Sequence, residues 1–249
     1  LGINKAIALT VKVISYLAVL VFFIWAFANN MFYRITEQPD QFFDLLSQHL
    51  TLVGVSAGLA ILTSVPLGII VTRKSLRKSE WLAVNVANLG QTIPSIAVLA
   101  IAMGFLGIGL QAAIVALYIY SLLPILQNTI AGIDSVNRGV IDSARGMGFT
   151  PAQILFKIEL PNAAASILAG IRTAIIINIG TAALAYLIGG GGFGVWIFTG
   201  IQLFDNTYLL SGAIPVTLLA VLVDFLFRAL QRILVPKGLQ LAQEASRQN

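Results

Sequence analysis

Six stretches of this chain stay apolar for about the twenty residues that a helix needs to cross the hydrocarbon of a bilayer. They run over roughly residues 7–28, 49–71, 85–106, 111–133, 163–188 and 208–231. The expected fold is therefore an all-α membrane protein with about six transmembrane helices, its boundaries placed to within several residues. Charge is correspondingly scarce. Only 10% of residues are charged, 58% are hydrophobic and the mean hydropathy is +0.91. A soluble domain carries about 25% charged residues. The first apolar segment is too long and too weakly bounded for a cleaved signal peptide. Leu1 is not Met, which leaves room for an upstream start.

Several chemistries are excluded at once. There is no cysteine, hence no disulfide framework and no cysteine metal site. The one histidine, His49, cannot make a zinc cluster and is read as structural, at a helix start beside the outer interface. No Gly-x-x-x-x-Gly-Lys-Ser/Thr occurs, so the chain has no P-loop. If its work is driven by ATP, another subunit hydrolyses it. No intramembrane His, Cys or carboxylate cluster offers acid, base or metal chemistry, which disfavours a membrane enzyme.

The basic residues set an orientation. Lys5 and Lys12 lie in or before span one, with Lys12 able to snorkel inward. Arg73, Lys74, Arg77 and Lys78 separate spans two and three. Arg138, Arg145 and Lys157 separate spans four and five, and Arg172 lies just inside span five. Arg228, Arg232, Lys237 and Arg247 end or follow span six. Placing all of these inside leaves Arg34 outside, beside Glu37, Asp40, Asp44 and Asp205. Both termini and residues 134–161 are then expected in the cytoplasm. The net charge of +5 is a topology signal, and no basic patch interleaved with aromatics points to nucleic acid.

Spans three, four and five carry polar residues that lipid disfavours. Span three holds Asn85, Asn88, Gly90, Gln91, Thr92, Pro94 and Ser95. Pro94 removes a backbone hydrogen bond and Gly90 permits a bend, so a break is expected where protein or a water-filled cavity covers it. Span four holds Tyr118, Tyr120, Ser121, Pro124, Gln127 and Asn128; span five holds Arg172, Thr173, Asn178, Gly180 and Thr181. Singly, such residues serve helix–helix packing in many proteins. As a set on adjacent spans they favour a translocation path, with Gln91, Pro94, Tyr118, Tyr120, Asn128 and Asn178 as its candidate lining. The glycine run 189–192 lacks the lysine and the strand–helix context of a phosphate loop, and is read as a tight turn or re-entry at the outer end of span five. Asp224 and Arg228 are read as a local i,i+4 ion pair.

The loop between spans four and five is a polar island. Gly148 suits the position after a helix end, where a positive φ is free of Cβ strain. Thr150 reads as an N-cap, Pro151 as the first helical residue and Gln153 as the third, together a capping box. Pro161 is expected to stop that second helix. An ordinary linker hairpin would satisfy the same local rules.

Asp142-x-Ala144-x-x-x-Gly148, with Leu160-Pro161 downstream, resembles the EAA loop of bacterial ABC importer permeases. Asp142 replaces the family's Glu and Ser143 its first Ala; charge and small volume are kept. The resemblance implies a type I importer permease core of the MetI-like kind. It implies that Asp142, Ala144, Gly148, Thr150, Pro151, Ala152, Gln153 and Pro161 serve coupling to a cytoplasmic ATPase, with the coupling helix running from Pro151 to about Lys157. The segments Gly90-Gln-Thr-Ile-Pro-Ser95, Tyr120-Ser-Leu-Leu-Pro124 with Gln127-Asn-Thr129, Ala169-Gly-Ile-Arg-Thr173 and Ile179-Gly-Thr-Ala182 resemble the osmoprotectant permeases, which import glycine betaine, choline and carnitine.

That family implies two cytoplasmic ATP-binding subunits holding ATP and Mg, and a second permease, expected as a copy of this chain. It also implies an extracytoplasmic binding protein or domain, and the bacterial inner membrane as the location. This chain is expected to bind no cofactor and no metal itself. Residues 1–44 are expected as an extra span and outer loop, 45–235 as the permease core and 236–249 as a cytoplasmic tail. A quaternary ammonium has no N–H donors and is best met by aromatic faces. Tyr118, Tyr120 and Tyr186 are candidates within the membrane, and Phe193 and Trp196 at the outer mouth. Transport of another small zwitterion is the nearest alternative. A secondary transporter or channel is the alternative of a different class; Asp224 is its one suitable buried acid, and it would have no use for the coupling loop.

Overall fold

The computed structural model describes residues 2–234. The expected tail over 236–249 lies outside the described residues. The described chain is helical, as a backbone in hydrocarbon must be to satisfy its own polar groups. The helices are α1 (Gly2–Ala28), α2 (Tyr33–Glu37), α3 (Pro39–Val71), α4 (Glu80–Thr92), α5 (Ser95–Leu106), α6 (Leu110–Asp134), α7 (Arg138–Gly146), α8 (Pro151–Ile154), α9 (Leu160–Thr181), α10 (Gly194–Leu203) and α11 (Asn206–Leu234).

Among the described residues, five helical runs are long and apolar enough to cross a membrane: Leu9–Ala28, Pro39–Val71, Leu110–Asp134, Pro151–Ile188 and Asn206–Leu234. The third expected span is the sixth candidate, but it is bent by 100° between α4 and α5. The break falls at Ile93 and Pro94, both extended, where the proline denies the helix its next donor. Gly90 is not the bend. A Cβ there would meet Ile119 Cγ2 at 2.6 Å, so this glycine lets α4 approach α6.

The core is the stack of α3, α6 and α9. Toward the glycine turn it comprises Leu52, Ala112, Ala116, Leu117, Ile179 and Ala182; toward the 134–161 loop it comprises Ala60, Ile125, Ile133, Ala163, Ile171 and Ala174. Alanine fills half of these positions because close backbone approach, rather than water exclusion, holds helices together in lipid. At Gly170 a Cβ would lie 2.6 Å from both the Pro124 carbonyl oxygen and Asn128 Cβ, so α9 crosses α6 at a distance that only glycine permits. Around this stack, α1 and α11 are largely peripheral, with 6% and 11% of their spanning windows buried.

Three features differ from the sequence expectation. Helix α3 begins at Pro39 and runs through the expected boundary at 44/45 without a linker. Pro161 does not stop a helix. Residues Pro151–Ile188 form one continuous run, in which a π turn over Leu155–Glu159 precedes the proline. The wider turn, with Leu160 N–H bonded to the Leu155 carbonyl, relieves the clash that an α-helix would meet at Pro161. Finally, α10 is a short apolar helix that its length bars from spanning: ten residues rise only about 15 Å. It follows the glycine turn, where Gly189, Gly191 and Gly192 have φ of 73°, 78° and 75°.

Candidate functional site: the 134–161 loop and the broken span

The loop is built as its residues dictate. Asn137 caps α7 by accepting from Gly139 N–H at 2.8 Å. Helix α7 closes in a Schellman motif: Phe149 N–H reaches the Ala144 carbonyl at 3.0 Å and Gly148 N–H reaches Arg145 at 2.9 Å. Gly148 takes φ 84°, as expected of the residue after the helix end. Thr150 N–H then donates to Gln153 Oε1 at 2.8 Å, while Gln153 N–H donates to Thr150 Oγ1 at 3.3 Å. The capping box read from the sequence is thus present, with Pro151 in the first turn. Ala144 is buried, whereas Asp142, Thr150, Pro151, Ala152 and Gln153 are exposed. Asp142 pairs with Arg145 at 3.0 Å. Met147 and Phe156 are 69% and 67% exposed, so this polar loop also shows large apolar side chains.

Both ends of the loop are tied to the linker after α3. Arg77 makes two bonds of 2.7 Å to the Asp134 carboxylate at the end of α6. Arg73 reaches Glu159 at 2.8 Å at the end of the π turn. The sequence reading used these arginines only for topology and did not foresee either pair.

The broken span gathers part of the expected path. Gln91 Nε2 donates to the Tyr120 carbonyl at 2.9 Å, and the Tyr120 hydroxyl donates to the Ile93 carbonyl. Gln91, Pro94 and Tyr120 therefore meet where α4 turns into α5, and Pro94 is exposed. Tyr118 does not join them. Two residues along a helix is a turn of about 200°, and its hydroxyl contacts Thr63 Oγ1 of α3 at 3.3 Å.

Other candidates sit in packing. Asn178 is fully buried, and its Nδ2 donates to Ser56 Oγ at 2.9 Å and Ser121 Oγ at 2.7 Å, joining α9 to α3 and α6. Asn128 donates to the Pro124 carbonyl at 2.8 Å and lies against Gly170, with Ser166 Oγ donating to its carbonyl at 2.8 Å. Phe193 and Trp196 are 0% and 1% exposed and pack with Leu45, so neither lines a mouth. Tyr186 stacks on Phe198 at 5.4 Å. His49 lies inside α3 and not at a helix start as expected; it is buried, its Nε2 lies 3.0 Å from the Ile179 carbonyl, and its ring packs on Phe193. The Asp224–Arg228 pair forms at 2.7 Å, and Arg172 adds a second arm from α9, also at 2.7 Å.

At the opposite end of the bundle, Asp205 holds the start of α11. It accepts from the Thr207 hydroxyl at 2.6 Å and from Thr207 N–H at 2.8 Å, and pairs with Arg34 at 3.2 Å. The Thr207 hydroxyl is the main cause that holds this carboxyl below its ordinary range, with Arg34 adding to it against a smaller effect of desolvation. Arg34 also lies over the Tyr208 ring at 4.0 Å. Among the described residues there is no grouping of His, Asp or Glu suited to a metal ion.

Comparison with known proteins places this architecture. Residues 64–238 match the family described as binding-protein-dependent transport system inner membrane component. The choline transport system permease protein OpuBB of Bacillus subtilis (strain 168) is 44% identical over 80% of this chain and 91% of its own length. The glycine betaine/carnitine/choline transport system permease protein OpuCB of the same organism is 43% identical over 88% of this chain and its full length. The OpuCD permease of that same-named system is 42% identical over 71% of this chain and 77% of its own. Among solved structures, one of the MetNI methionine ABC transporter in inward-facing conformations aligns with a TM-score of 0.69 and 24% identity, over 80% of this chain and 99% of the other. The MetI-like fold implied by the loop motif is the fold observed.

Proposed function

Because this chain belongs to the family of binding-protein-dependent transport system inner membrane components, we propose that it is the permease through which a cell imports quaternary-amine osmoprotectants such as choline, glycine betaine and carnitine. It is a multi-pass inner-membrane subunit of an ABC transporter; ATP is hydrolysed by partner subunits and solute is presented by a binding protein. The observation that carries the solute class is the 43–44% identity to permeases named for those solutes.

The loop 134–161 faces the cytoplasm in this reading and docks the ATPase through α7 and α8. Gly148 and the Thr150–Gln153 box set the angle between these two short helices. Met147 and Phe156 offer exposed apolar surface to a partner. ATP binding draws the ATPases together, the loops follow, and the spans rock so that the passage opens outward; hydrolysis resets it. The passage runs along the break between α4 and α5, with Gln91, Pro94 and Tyr120 beside it. Tyr118 turns toward Thr63 of α3 and away from the break. Asn128 and Asn178 serve helix packing and leave the passage list.

A second permease completes the passage. OpuCB and OpuCD carry one system name in one organism and both resemble this chain, which supports pairing with a similar but non-identical permease over the self-pairing first expected. The test is growth at high osmolarity of a host without its own osmoprotectant uptake, carrying this chain with its ATPase and binding protein. Rescue by at least one of choline, glycine betaine or carnitine is expected; rescue by none of them would refute the solute class.

A further inference from the structure

We propose that Arg73 and Glu159 form a clasp that positions the 134–161 loop and passes its movement to α3 and the broken span. This rests on the reading that the loop docks the ATPase. The chain leaves the loop through the π turn Leu155–Glu159, immediately before Pro161. Pro161 has no N–H, so the Lys157 carbonyl lacks its helical donor, and the extra residue of the π turn loosens the same stretch. The run Pro151–Ile188 is thus least firmly bonded where loop motion enters α9. By itself such a joint would absorb motion rather than transmit it.

Glu159 bridges that joint to a fixed point. Its side chain is 8% exposed, and Arg73 meets it at 2.8 Å. Arg73 is itself held in place, donating Nε to the Ile69 carbonyl at 3.0 Å and Nη2 to Thr72 Oγ1 at 3.2 Å. A cation over the last carbonyls of α3 also suits the helix dipole. Four residues on, Arg77 pairs with Glu80 at 3.0 Å at the start of α4. The short linker therefore connects the clasp to α3 directly and to the broken span through α4.

The two ties of the loop differ in weight. Glu159 is 8% exposed while Arg73 is 37% exposed, so the tie is half-buried and solvent screens it only in part. Arg77 and Asp134 are 48% and 37% exposed, so solvent screens this pair more fully, although its two bonds and the added Glu80 give it good geometry. Loss of the Glu159 tie, whose carboxylate is the more buried and sits at the π turn, is therefore expected to uncouple more than loss of the Asp134 tie.

The experiment reconstitutes the complete transporter in proteoliposomes and measures solute taken up per ATP hydrolysed, together with ATPase co-purification. Glu159→Gln should lower that ratio about fivefold or more, the range of an ordinary coupling energy, with the ATPase still bound. Asp134→Asn should lower the ratio less than Glu159→Gln does. Exchange of the charges, Arg73→Glu with Glu159→Arg, should recover part of the loss. A merely structural role would lower hydrolysis and uptake in proportion and leave the ratio unchanged; that result in Glu159→Gln overturns the clasp. Gly148→Val serves as the separate check on docking. If that variant keeps the ATPase bound and coupled, the docking reading falls; an unchanged ratio in Glu159→Gln, with docking upheld, removes the clasp alone.

Discussion

Replacing Asn178 with alanine removes a side chain that hydrogen-bonds to two other helices at once. Ser56 and Ser121 each donate their own proton to a carbonyl of their own helix, at 2.7 Å to Leu52 and 3.0 Å to Leu117. Neither serine is therefore left with an unsatisfied donor when Asn178 goes, and the large penalty for a stranded polar group does not apply. What is lost is two interhelical bonds, at about 0.6 kcal/mol each on average and about 1.7 at most, or about 1–2 kcal/mol together. The void adds on the order of 1 kcal/mol at about 24 cal/mol per Å³. A total of about 2–3 kcal/mol should lower the apparent Tm by about 4–12 °C, at about 2–4 °C per kcal/mol for a chain of this length. The assay pairs thermal denaturation of the purified transporter with uptake measured well below the transition. Uptake there should remain close to that of the parent. Unchanged Tm with lost uptake would refute the packing argument and return Asn178 to the passage.

Tyr120→Ala should lower the maximal uptake rate by about 2–30-fold, from a cation–π energy of about 0.5–2 kcal/mol, with ATPase binding intact; steady-state uptake curves check this. Ser135→Cys, in a chain without other cysteines, should resist an impermeant thiol reagent added outside intact cells; labelling there would invert the topology. Acid should loosen the Arg34–Asp205–Thr207 contact. The Asp205 carboxyl is held below its ordinary value of 3.8, so its contribution is present above that value and is lost as pH falls through the lower, folded one. Proteolysis at the turn before α11 should rise over that acid window in the parent and show no such added rise in Asp205→Asn.

Much of this architecture was legible because lipid leaves few choices. Apolar length marked the spans, and Pro94 marked the break, since its missing donor acts locally. The Gly148 turn and the Thr150–Gln153 box were legible for the same reason: caps and turns are decided within a few residues. Pro161 misled because a proline stop is a rule for α geometry, and a π turn evades it. Polarity alone pointed to Asn178 and Asn128 as passage lining, and aromaticity alone to Phe193 and Trp196 at the outer mouth. Whether such a side chain meets a cavity or another helix depends on long-range packing, which spacing does not encode. The pairs Arg73–Glu159, Arg77–Asp134 and Arg172–Asp224 were missed for that reason too, since each joins residues far apart in the chain. For the first two, opposite charges near facing helix ends were the available signal. The short helix α10 was hidden by its length, too brief to register as a span.

Uptake by sealed vesicles tests the central claim most directly. The complete transporter is reconstituted with ATP on the ATPase side and the binding protein on the other, and labelled choline, glycine betaine and carnitine are offered in turn. ATP-dependent accumulation of at least one quaternary amine is predicted, lost in Gly148→Val while the chain still inserts. Accumulation that needs no ATP, or that persists unchanged in Gly148→Val, would contradict an ATPase-coupled permease driven through the 134–161 loop.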